Sequence, residues 1–161
     1  MARAAYLAVG LLLALAGSGM TLGADEVDKQ RQRLAKANDP GERAKISVKL
    51  GDELLKRITA AYRHEDREGG EELLSEYRET ILAAGQALLA SGRVARRQPR
   101  GFKELEIHLR KGERALLDVG RGLVYDQKQI IDETREEMEK LRQALLAALM
   151  RSPKAPRSNG S

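Results

Sequence analysis

The chain has no cysteine and no tryptophan, and only two histidines, four prolines, four tyrosines and one phenylalanine among its 161 residues. Without cysteine there are no disulfides, thiolate metal sites, covalent haem links or thiol nucleophiles. A fold built from this sequence must be held by its core alone. Aromatic residues make up 3% of the chain, too few for the stacking platforms that bind bases or sugar rings. Sequence-specific nucleic-acid recognition is therefore not expected. The net charge of +5, lowered by one if Arg3 is removed, is a mild excess on a heavily charged surface.

The N-terminus supplies the strongest address. Met1-Ala2-Arg3 is followed by an apolar run from Ala4 to Ala16 and then by small residues up to Ala24. A basic start, a short hydrophobic segment and a Gly/Ser/Ala-rich exit have the layout of a secretory signal peptide. Cleavage is expected around Gly23, Ala24 and Asp25, giving an exported protein, periplasmic or extracellular. The rival reading is a retained anchor, because no charge occurs between Ala4 and Ala24. Gly17, Ser18, Gly19, Thr21 and Gly23 argue for cleavage, since an anchor would continue with large apolar residues. On that reading the membrane is met only through the transient signal.

The rest is patterned for helices. Asp39-Pro40 with Glu42 is a helix start: a cap, a proline suited to the first turn, and an acid three residues on. Ala44, Val48, Gly51, Leu55, Ile58 and Tyr62 then alternate at steps of four and three, as in coiled coils. The charged segment His64–Gly70 interrupts the pattern. A second helix is expected from Glu71 to about Ser91, with Leu74, Tyr77, Ile81, Ala84 and Leu88 on its seam and Gly92 as its stop. A loop reaches to Gly101. The third helix is expected from Phe102 to about Leu123, frayed or kinked at Gly120 and Gly122. Asp126 offers a cap for the fourth, whose seam is Ile131, Thr134, Met138, Leu141, Leu145 and Ala148.

This organisation predicts residues 1–24 as signal, 25–38 as a short N-terminal helix or linker, 39–150 as a helical domain and 151–161 as a disordered basic tail. Short connections favour antiparallel neighbours, so the expected fold is an all-α antiparallel four-helix bundle of two hairpins. The alternative is a helical-repeat array of tetratricopeptide type, but no 34-residue period is found.

Constellations for catalysis are missing. Neither His64 nor His108 has a glutamate three residues before it, so the di-iron bundle motif is absent. Glu104 and His108 share a helical face at a separation of four, which suits a solvent-exposed ion pair better than a zinc pair. The run Asp132 to Glu139 is interleaved with Arg135, followed by Lys140 and Arg142, and reads as a solvated face. Ser47, Ser75 and Ser91 lack a nucleophile-elbow context. Gly120-Arg121-Gly122 lacks the strand and third glycine of a phosphate loop. No catalytic residue, metal site or cofactor is expected.

The one asymmetric feature is Arg93, Arg96, Arg97, Arg100 and Lys103, five positive charges in 11 residues with no acid among them. On a loop they would concentrate positive potential and attract phosphate, anionic headgroups or an acidic protein surface. The plainer reading is a solvated basic turn. An interaction module binding an unknown protein or anionic envelope component follows, with a small-ligand or metal-binding bundle on Glu104 and His108 as the alternative.

The stretches DPGERAKISVKLGDELL and ALLASGRVARRQPRGFKELEIHLRKGERALLDVGRGL resemble small exported bacterial all-helical proteins of unknown function. The resemblance covers about residues 38 to 149. It implies an exported helical protein and no activity, and it draws attention to the segment from Gly101 to Arg110.

Overall fold

The computed structural model describes residues 21–151, with side chains from Glu26 onward. The expected signal up to residue 20 and the tail from residue 152 lie outside them. Five helices follow in order: α1 (Thr21–Lys36), α2 (Pro40–Arg63), α3 (Arg67–Ala90), α4 (Phe102–Gly120) and α5 (Tyr125–Met150). The backbone of α1 runs through Gly23, Ala24 and Asp25, the expected cleavage region. No helix among the described residues is long and apolar enough to cross a membrane.

Helix α2 begins as its sequence dictates. The backbone N–H of Glu42 donates to Asp39 Oδ1 at 2.8 Å, and Pro40 occupies the first helical position. Helix α3 starts four residues earlier than Glu71. Asp66 caps it by accepting from the Gly69 N–H at 3.1 Å, so Gly69 and Gly70 form its first turn instead of a break. Gly70 is kept side-chain-free by the Tyr62 ring, which a Cβ would meet at 2.9 Å. At the other end α4 stops at Gly120, three residues short of Leu123. Asp126 does not cap α5: Val124 holds that position without a side-chain bond, and Asp126 lies in the first turn.

Helices α2 and α3 form one antiparallel hairpin and α4 and α5 the other, so the chain runs up, down, up, down. Helix α4 lies beside α2 and α5 beside α3, while α3 and α4 meet only slightly across a diagonal. The link 91–101 therefore crosses one end of the bundle. The antiparallel bundle is the architecture present, in place of a repeat array.

The seams meet in one core. Leu74, Tyr77, Ile81, Ala84 and Leu88 from α3 are buried against Leu50, Leu54 and Ile58 of α2, Phe102, Leu105 and Leu109 of α4, and Ile131 and Leu145 of α5. Helix α1 joins the same core through Val27, which is fully buried. It is tied down by polar contacts as well. The Arg31 guanidinium donates twice to the Glu76 carboxylate at 2.7 Å, and Arg43 donates to the Leu34 and Ala37 carbonyls at 3.1 and 2.9 Å.

Candidate functional site

Two glycines shape the crossing link. Gly92 ends α3 at φ +69° and Gly101 opens α4 at φ +91°, both in the left-handed region that only glycine enters cheaply. A side chain on Gly101 would also press within 3.0 Å of Gly41 Cα and the Leu88 methyl. The Gly101 N–H donates to Glu104 Oε2 at 2.7 Å, which secures the first turn of α4. Ala95 and Phe102 are buried and pin the link to the core. Between these pins, the Arg97 and Gln98 N–H groups both donate to the Val94 carbonyl at 2.9 Å, closing a single turn.

That scaffold divides the five expected cations. Arg93 folds back onto the Asp39 carboxylate and acts as a strut between the link and the start of α2, not as a free binding group. Asp39 is held below the usual carboxylate range, first by the Glu42 N–H and then by Arg93. The side chains of Arg96, Arg97, Arg100 and Lys103 are exposed and have no hydrogen-bond or ion-pair partner among the described residues. The fold adds cations that the linear run does not contain. Arg33, Lys36, Lys45 and Lys49 gather with Arg100 along an open groove of about 1060 Å³ between the end of α1 and α2. Asp39, Glu42 and Glu104 border it as well. The step of four from Lys45 to Lys49 was the only sign of this face.

A second, smaller groove of about 520 Å³ lies at the same end. Leu89, Val94, Phe102, Ala144, Ala147 and Ala148 give it apolar walls, and Arg93 and Arg151 stand at its edge. Leu89 is 40% exposed and Val94 41% exposed, and Met150 on the last turn of α5 is 76% exposed. The opposite end is acidic on balance. Glu65, Asp66, Glu68, Glu71 and Glu72 crowd the α2–α3 turn around Arg63 and Arg67, while Asp118 and Asp126 at the α4–α5 turn are matched by Arg121 and Lys128.

Glu104 and His108 do not form the exposed pair expected from their spacing. Glu104 turns to the Gly101 N–H, whereas His108 lies in the core at 2% exposure. His108 Nδ1 is 3.0 Å from Asp52 Oδ1, and its ring tilts against Tyr77 at a centroid distance of 5.7 Å. An ionised carboxylate only accepts, so Nδ1 carries the proton and donates. His108 Nε2 and the Tyr77 hydroxyl are buried without partners. Each reaches over a glycine of another helix, α2 for His108 and the diagonal α4 for Tyr77: a Cβ on Gly51 would meet Nε2 at 2.7 Å, and one on Gly112 would meet the Tyr77 oxygen at 2.5 Å. The spacing of Glu104 and His108 predicts an exposed pair, whereas the sign of burial is the place of His108 one turn before Gly112, on the same face.

The remaining polar candidates are engaged in structure. Ser91 Oγ donates to the Leu88 carbonyl at 2.6 Å, Ser75 sits on the exposed face near Glu79, and Ser47 is buried. Arg135 joins Asp132 to Glu113 of α4, and Arg142 joins Glu139 to Glu106. The acidic run is thus a seam of ion pairs between α4 and α5. No group of three or more metal-ligating side chains occurs among the described residues. No known family model, curated protein or solved structure matches the chain.

Proposed function

We propose that this chain is an exported, non-enzymatic interaction module that binds an anionic envelope component or acidic protein through the loop-bearing end of its bundle. The observation that carries this reading is the set Arg96, Arg97, Arg100 and Lys103, exposed and unpartnered on a link that the core holds in place. Arg31, Arg78, Arg135 and Arg142 are paired on helix faces, and the free Arg63, Arg110 and Arg114 lie on helices and not on the link. Positive groups left free together on a rigid platform create a local potential able to select a negative partner. Export belongs to the same proposal, in keeping with the signal-like N-terminus and the resemblance to small exported helical proteins.

The test is affinity capture from an envelope fraction, comparing the wild-type chain with the triple reversal R96E/R97E/R100E. At least one captured component should disappear with the reversal. An identical set from both proteins would overturn the proposal. A small-ligand site on Glu104 and His108 is not favoured, since the first is spent on a backbone cap and the second faces the core.

A further inference from the structure

The loop-bearing end combines two properties that one kind of partner satisfies together. Among the described residues, five large apolar side chains are exposed, and Leu89, Val94 and Met150 are at this end. Val94 is followed at once by Ala95, Arg96 and Arg97, and Met150 by Arg151. Leu89, Val94 and Arg151 line one groove. The chain continues from Arg151 through a further ten residues that include Lys154 and Arg157 and no acid. We infer that this end is a peripheral docking surface for a bilayer rich in anionic phospholipid, in which the free cations meet lipid phosphates while Val94, Leu89 and Met150 enter the headgroup boundary. The inference rests on the proposed function and narrows its partner to a lipid surface.

Charge and shape favour that occupant over an acidic protein. Arg100 opens on the α1–α2 side of the end, whereas Arg151 borders the groove on the α3–α5 side. A plane of phosphates reaches both sides at once. An acidic protein face would neutralise the cations but would leave exposed aliphatic tips against polar groups. A bilayer supplies an apolar layer directly beneath its charge, and weak signals of the two kinds add to give useful attachment. Each basic residue close to an anionic leaflet raises partitioning by on the order of fivefold.

The absence of tryptophan makes a local test possible. Val94→Trp places a single reporter at the docking end, and Val124→Trp places one at the opposite end, where Val124 is 65% exposed. The full chain is mixed with vesicles of phosphatidylcholine alone or half phosphatidylglycerol. The apolar N-terminal segment can enter either bilayer, so the readout is emission from each reporter and its quenching by brominated acyl chains. Val94→Trp should shift to the blue and be quenched only on the anionic vesicles, whereas Val124→Trp should behave alike on both. Adding R96E/R97E/R100E should weaken the Val94→Trp response by about tenfold or more, as should high salt. Gln98→Trp on the same exposed turn repeats the measurement if Val94→Trp does not fold. An equal response of Val94→Trp on both vesicles, no response on either, or the same anionic-only response from Val124→Trp would overturn the inference. If the reporters stay silent while a protein is still captured in a loop-dependent way, the lipid assignment falls and the broader interaction reading stands.

Discussion

His108 of α4 donates from Nδ1 to the Asp52 carboxylate of α2 at 3.0 Å, joining a side chain sealed in the core to one whose other face meets solvent. This contact crosses the seam between two parallel neighbouring helices and has a measurable acid signature. The hydrogen bond from His108 holds the Asp52 carboxyl below the ordinary aspartate value, with the charges of Lys111 and Lys56 adding to it. A lowered carboxyl pKa contributes stability above the unfolded value of about 3.9 and loses it as pH falls through the folded value.

Asp52→Asn should therefore cost stability at neutral pH, and the difference from wild type should narrow below about pH 4. Asp52→Ala should cost about 1 kcal/mol, the low end for an orphaned donor, because water reaches that side. Urea unfolding at pH 7, 4 and 3 measures both. A wild-type-to-Asn difference that stays constant down to pH 3 would rule out the linkage.

Gly51 and Gly112 receive the His108 and Tyr77 side chains at distances that forbid a Cβ. Alanine gains helix propensity of about 1 kcal/mol at each site, but displacing a ring in the core costs roughly 1–3 kcal/mol. Gly51→Ala and Gly112→Ala should be neutral at best and destabilising by up to about 2 kcal/mol net. Gly122 has only the Val119 carbonyl near its would-be Cβ, at 3.9 Å. Gly122→Ala should raise stability by about 0.4–1 kcal/mol through loss of unfolded-state freedom. Thermal unfolding of the three variants gives the order.

The Tyr77 hydroxyl is buried without a partner, and burial pushes its ionisation well above the usual phenol range. Removing it in Tyr77→Phe should leave stability unchanged or raise it by up to about 1 kcal/mol. It should also relieve the clash that Gly112→Ala creates, so the two substitutions should couple favourably by at least about 0.5 kcal/mol. A double-mutant cycle that is additive would show that the hydroxyl is not what Gly112 accommodates.

Asp39 serves two partners, the Glu42 N–H and the Arg93 guanidinium. Asp39→Asn keeps a capping oxygen and loses the charge, whereas Asp39→Ala loses both. Melting midpoints should fall in the order wild type, Asn, Ala. Arg93→Ala should resemble the Asn variant, since it removes the strut and leaves the cap.

Much of this architecture is legible in the sequence because burial repeats with the helical period. Every expected seam position of α3 is buried, as are Ile131, Thr134, Met138, Leu141 and Leu145 of α5. Boundaries were less legible, for local reasons. Asp66 outcompeted the Gly69-Gly70 pair as a terminator by capping ahead of it, and Asp126 lost the cap to the extended backbone at Val124. The basic link was visible as a run of charge, but its division was not. Whether Arg93 is free depends on Asp39, 54 positions away in the chain. Likewise, the contributions of Lys36, Lys45 and Lys49 exist only once α1 folds back along α2.

The direction of the helices bears on how that end is charged. The loop-bearing end gathers the starts of α2 and α4 but the finishes of α1, α3 and α5. Peptide dipoles aligned along a helix leave a partial positive charge at its start and a partial negative one at its finish. Two starts against three finishes give a backbone field that opposes the cations slightly instead of reinforcing them. The attraction of this end therefore comes from guanidinium and ammonium groups and not from the helix ends. Its pull on anions should fade as dissolved salt shortens the reach of charge.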